Sequence, residues 1–125
     1  MIVYRVEHKE DNGGPYRSDR FLEKMEDVHS TDKRASHPTR SDDFRQHLED
    51  GVMTAEEFDT CVCGFLSFAL FSRWFKGFKR ELKRAGFVLR LFETGHVFVG
   101  ESERQIMFDR EKAKLIGEKS VLCRN

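Results

Sequence analysis

Glu101 and Glu103 stand one residue apart in the turn Gly100-Glu101-Ser102-Glu103, and Arg5 stands in the first apolar–polar alternation of the chain. A carboxylate held beside a sugar carbon stabilises the positive charge that develops as a glycosidic bond breaks. An arginine offers a phosphate a fork of donors that is always charged. Ser67 lies between them in chain order, in Phe65-Leu66-Ser67. A second constellation is basic: Arg73, Lys76, Lys79, Arg80, Lys83 and Arg84 fall within twelve residues, interleaved with Trp74, Phe75 and Phe78. Steps of three and four bring several of these cations to one helix face. Such a face can neutralise phosphates while the aromatics stack on bases. The same pattern also fits an ordinary amphipathic helix, with the aromatics as its buried stripe and the cations as its solvated one.

Cys61 and Cys63 form a Cys-x-Cys pair that could ligate zinc, with His29, His37 or Cys123 completing the set. Structural zinc sites usually have two-residue spacers, however, and the sequence has no second pair. On a strand the two cysteines share a face and fill a core as small hydrophobes. The histidines, His8, His29, His37, His47 and His96, show neither HxxxH nor HxH spacing. No metal is therefore expected. His37, in the loop ahead of Pro38, could act on a substrate, but a histidine in a surface loop more often has no specific role.

Arginine, then serine, then Glu-x-Glu, in that order, resembles the R-S-E pattern of ADP-ribosyltransferases. The resemblance implies that Arg5 and Ser67 bind NAD, with Ser67 supporting its nicotinamide end. It implies that Glu103 is catalytic at the nicotinamide ribose and that Glu101 orients or activates the acceptor. Gly14, Pro15 and Tyr16 would line the pocket near Arg5. The middle motif departs from that family's Ser-Thr-Ser, since only Ser67 remains.

The elements that must position these residues follow from period and punctuation. Ile2 to Glu7 alternates as a strand, broken by Asp11-Asn12-Gly13-Gly14-Pro15. From Ser18, the residues Phe21, Leu22, Met25 and Val28 recur at helical spacing. Residues 29–40 have no apolar period and read as a long loop. Ser41-Asp42-Asp43 opens a short helix with Phe44 and Leu48, closed by Gly51, and Thr54 with Glu57 has capping-box spacing. Cys61 to Phe65 is a short strand. Ser67 caps a helix through Leu70, Phe71, Trp74 and Phe75, Gly77 interrupts it, and Gly86 ends its continuation. Phe87–Phe92, His96–Val99 and Arg104–Phe108 read as a three-stranded meander with Thr94-Gly95 as its first turn. Residues 109–125 read as a short helix around Ala113–Ile116 and a loose tail. The prediction is a single α+β domain over residues 1–125, mostly antiparallel, with the N-terminal strand paired to that meander and helices between.

Composition sets the class. The chain has 125 residues, 38% apolar and 35% charged, with 12 Phe to build a core. Three cysteines do not suggest a disulfide framework. Neither a signal-length apolar start nor a membrane-length run occurs, so a cytosolic protein is expected. Net charge is zero, yet residues 1–60 hold 9 basic and 15 acidic residues (−6) and residues 61–125 hold 13 and 7 (+6). In general style this short, charged, Phe-rich chain resembles phage-encoded proteins, many of which inhibit host defence, anti-CRISPR proteins among them. Three functions follow: an ADP-ribosyltransferase-like domain that uses NAD to modify a host protein or nucleic acid, a non-catalytic inhibitor of a host protein or ribonucleoprotein, and a nucleic-acid binder through 73–84. Whether catalysis occurs stays open at this point.

Overall fold

The first alternation becomes strand β1 (Ile2–His8) in the computed structural model, which describes residues 1–16 and 37–124. β1 pairs antiparallel with β3 (Phe87–Glu93), and β3 pairs with β6 (Lys114–Ser120), giving a sheet of order β1-β3-β6. A second antiparallel sheet has order β2-β5-β4, from β2 (Val62–Gly64), β4 (Phe98–Val99) and β5 (Ile106–Phe108). The two meet where Tyr4 and Phe65 exchange backbone hydrogen bonds of 2.8 and 2.7 Å. Gly64 is needed at that junction, because a Cβ there would stand 2.8 Å from the Tyr4 carbonyl oxygen.

Five short helices complete the described residues: α1 (Arg40–Asp43), α2 (Arg45–Glu49), α3 (Ala55–Thr60), α4 (Phe68–Trp74) and α5 (Lys79–Arg84). Thr54 and Glu57 form the predicted capping box of α3, and Ser67 caps α4 by accepting from the Leu70 N–H at 3.1 Å. Gly77 and Gly86 sit at φ of 89° and 93°, where α4 and α5 give way as expected. Thr39, not Ser41, caps α1, and the helix carrying Phe44 and Leu48 is two pieces that break at Phe44. The helix predicted from Ser18 and the loop over 29–36, His29 included, lie outside the described residues.

The α+β, mainly antiparallel architecture is as predicted, and β1 does pair with β3, the first strand of the expected meander. The meander itself is not formed. Both edges of β3 are already hydrogen-bonded, to β1 and β6, so β4 has no edge to join and instead pairs with β5 in the second sheet. The expected helix at 113–116 and loose tail are corrected too: that stretch is β6, with a bulge at Ile116 where the register shifts opposite Leu91 and Phe92.

Side-chain alternation divides β1 between two layers. Tyr4 and Val6 face Phe65, Phe71, Trp74, Phe75, Leu82 and Leu89, the core that seats α4 and α5. Val3 packs on the other side with Phe92, Ile106 and Phe108. A third cluster, Phe44, Met53, Cys61, Phe98 and Met107, joins the helices α1–α3 to the second sheet. Cys61 and Cys63 both go to this cluster, as the core-filling expectation had it. Burial, with Asp109 and Glu57 adding to it, pushes the Cys61 thiol up. Cys61 is therefore expected to alkylate more slowly at pH 8 than half-buried Cys123, and urea should abolish the difference. Mass mapping of alkylated peptides checks this.

Candidate functional site

The first sheet buries charge as well as apolar surface. On the Val3 side of β1 come Arg5 and Glu7, and Arg90 lies opposite Arg5 on β3. The Glu7 carboxylate has no solvent exposure and accepts from Arg5 Nε at 2.7 Å, Arg90 Nη1 at 3.0 Å and Arg110 Nε at 2.6 Å. Burial by itself raises the Glu7 pKa, but the hydrogen bonds and charges of these arginines outweigh it and hold the group below its ordinary value. Arg90 also binds Glu118 and the Asn12 side chain, which ties the Asn12-Gly13-Gly14 loop to the sheet. Arg5 spends its Nη1 on the Cys63 carbonyl at 2.7 Å.

That loop brings Gly14, Pro15 and Tyr16 next to Arg5, at a cavity of about 290 Å³. Phe65, Trp74 and Phe75 supply apolar wall, and Arg40, His37, Cys63 and Gln105 supply polar groups. Tyr16 is fixed: its hydroxyl accepts from Trp74 Nε1 at 3.0 Å and its ring stacks on Phe75 at 6.3 Å between centroids. Burial of the group raises the Tyr16 pKa, and the hydrogen bond from Trp74 opposes that rise. His37 packs edge-on against Trp74 at 4.9 Å, with Nε2 2.9 Å from the Trp74 carbonyl oxygen.

The structure brings together only part of the predicted arginine–serine–glutamate set. Arg5 and Tyr16 line the cavity; Ser67, Glu101 and Glu103 do not, although each stands within a few residues of a lining residue, Phe65 or Gln105. The Ser67 hydroxyl is used as the α4 cap. Glu101 and Glu103 are exposed on a turn whose Glu103 takes a φ of 62°. What holds the turn is Asp43, buried, whose carboxylate accepts from the Ser102 N–H at 2.7 Å, the Ser102 hydroxyl at 2.9 Å and the Gln105 amide at 3.0 Å. Sequence reasoning missed Glu7, Asp43, Arg40 and Gln105. The one available signal was their placement: a glutamate inside an apolar strand and an aspartate beside an apolar Phe are costly to bury unless paired.

The basic helices resolve differently. Trp74 and Phe75 are buried and Phe78 packs against the same core, so these three aromatics form the buried stripe of an amphipathic pair of helices and do not stand beside the cations as a base-stacking platform. Lys79 is half-buried, lies 4.9 Å from the Phe71 ring centre and donates to Ser72 at 2.6 Å. Lys83 reaches Ser120 at 3.2 Å. Arg73, Lys76, Arg80, Lys83 and Arg84 are exposed, and among the described residues none pairs with a carboxylate. Among the described residues, too, no three His, Cys, Asp or Glu side chains converge as a metal site would need.

Fold and site together define a small α+β domain with a largely apolar cavity that Arg5 and Arg40 line, and a basic helical face. Residues 1–122 match the family model of the Bacteriophage T4 Y00F protein, and the chain belongs to that phage protein family. No curated protein and no solved structure matches it.

Proposed function

We propose that this phage protein acts by binding, docking its α4–α5 face on the phosphate backbone of a nucleic acid in the host cytosol. The observation that carries this reading is the group of five exposed cations, Arg73, Lys76, Arg80, Lys83 and Arg84, with no carboxylate partner among the described residues. With the neighbouring aromatics in the core, the contact is electrostatic and tolerant of sequence. No described helix is long and apolar enough to cross a membrane.

Anisotropy of labelled duplex DNA and single-stranded RNA tests the proposal. Four phosphate contacts on a duplex give a log–log salt slope of about −3.6 and roughly a hundredfold loss of affinity between 50 and 200 mM salt. The triple variant R73E/R80E/R84E should abolish binding while leaving unfolding by urea nearly unchanged, since surface substitutions cost little. Affinity that ignores salt, or survives the triple variant, overturns the proposal.

A second reading is favoured by the opposite charge elsewhere. Residues 37–60 hold seven acidic and two basic residues (−5), and they form α1–α3. That acidic surface suits an anti-defence, anti-CRISPR-like inhibitor that occupies the nucleic-acid groove of a host protein. A stoichiometric host protein captured from bacterial lysate, and released by charge reversal in α2–α3 but not in α5, would select it. The transferase reading keeps Arg5 and Tyr16 on one wall and leaves Ser67, Glu101 and Glu103 off it. Label transferred from NAD to a lysate acceptor, and lost in Glu103→Gln, would reinstate it.

A further inference from the structure

We propose that the cavity beside Arg5 is a binding site for a small planar aromatic anion of about mononucleotide size, independent of the basic helical face. Three observations carry it. The wall is aromatic and pre-set, because Tyr16 is locked to Trp74 by a hydrogen bond and stacked on Phe75. A flat ring entering such a wall gains stacking without first ordering the side chains.

Among the described residues, the charged side chains that line the cavity are Arg5 and Arg40, and no aspartate or glutamate lines it. Both guanidiniums are held in place yet keep donors to spare. Arg5 spends Nε on Glu7 and Nη1 on the Cys63 carbonyl, which leaves Nη2 without a bond among the described residues. Arg40 donates Nη1 to the Phe58 carbonyl at 2.9 Å and lies 4.2 Å from the Phe58 ring centre, so its remaining N–H groups are fixed in direction. Two such forks over an apolar wall suit an anionic group attached to a ring.

Size sets the limit. At about 290 Å³ the cavity lies near the lower end of ordinary small-molecule sites, about 300–1,000 Å³. One ring with its anionic group matches that space, and a whole dinucleotide exceeds it.

Trp74 is the chain's single tryptophan and lines the cavity, so its emission reports occupancy directly. The experiment titrates the full chain with AMP, CMP, GMP and UMP, with benzoate as a ring carboxylate, and with adenosine, inorganic phosphate and NAD. A saturable change in Trp74 emission is expected with at least one ring anion, and tenfold weaker or none with adenosine or phosphate alone. Benzoate and the nucleotides distinguish a carboxylate from a phosphate as the anionic group. Arg40→Gln should weaken binding at least tenfold, and R73E/R80E/R84E should leave it unchanged. Should R40Q fold poorly, Gly14→Leu is the second variant. A Cβ at Gly14 makes only ordinary contact, 3.4 Å from Arg5 Nη2, and the rest of a leucine would fill the space and block the ligand. The proposal is overturned if none of the ring anions gives saturation, if adenosine matches AMP, if NAD alone binds, or if binding survives both variants.

Discussion

Glu7→Ala is expected to cost about 3–5 kcal/mol of folding stability, the cost found when one partner of a buried ion network is removed. Urea unfolding measures it. Glu7 has no solvent exposure, and its two oxygens take donors from Arg5, Arg90 and Arg110, the last by both Nε at 2.6 Å and Nη2 at 3.0 Å. Without the carboxylate, Arg5 and Arg90 remain buried with like charges facing each other across the strand pair. Glu7→Gln, which keeps the shape and loses the charge, should fall between wild type and alanine. The same network sets a pH dependence. The folded-state pKa of Glu7 lies below its ordinary value of 4.5, so the carboxylate binds protons more readily in the unfolded chain. Its contribution is therefore complete above about pH 4.5 and is lost as pH falls through the depressed folded value. Glu7→Gln should flatten that acid limb, and stability that falls as steeply in the variant as in the wild type would assign the acid sensitivity to other carboxylates.

This network also shows where sequence reasoning ran out. Period and capping chemistry are local, and the elements they mark are where they were expected: β1 from its alternation, α3 from Thr54 and Glu57, α4 from Ser67, β3 from its apolar run. Pairing is not local. Nothing near Thr94-Gly95 states that both edges of β3 are taken, one by a strand some ninety residues earlier in the chain. β6 escaped notice because it is an edge strand: Leu115 and Ile116 are exposed and Lys114, Glu118 and Lys119 are charged, so no alternation develops. The candidate site was legible in its loop, Gly14, Pro15 and Tyr16 beside Arg5, and illegible in its far wall, where Arg40 and Gln105 arrive from elements distant in sequence. The basic residues were plain to see, but only packing could show that their aromatic neighbours belong to the core.

Gly100→Ala is expected to destabilise the fold by about 3 kcal/mol, and by much less once Asp43 is alanine. A Cβ at Gly100 would stand 2.2 Å from Asp43 Oδ2 and 2.5 Å from Cγ, so the carboxylate must move. It cannot move without giving up the Ser102 and Gln105 donors, and the group that loses them is a buried charge, for which each lost bond costs about 1.5–3 kcal/mol. Asp43→Ala alone removes those bonds and should cost a similar amount, but it also vacates the space that the new methyl needs. The two substitutions share one set of contacts, so the double variant should fall short of the sum by about 2 kcal/mol, within the range measured for coupled neighbours. Hydrogen exchange gives a local check: the Ser102 amide should lose protection in each variant, since Asp43 is its acceptor, while amides at the β1–β3 pairing should not. Strict additivity would mean that the turn is held by something other than Asp43. The same variants separate scaffold from site: Glu101 and Glu103 ride on this turn, whereas the α4–α5 cations do not, so nucleic-acid affinity should persist in Gly100→Ala even as the turn loosens.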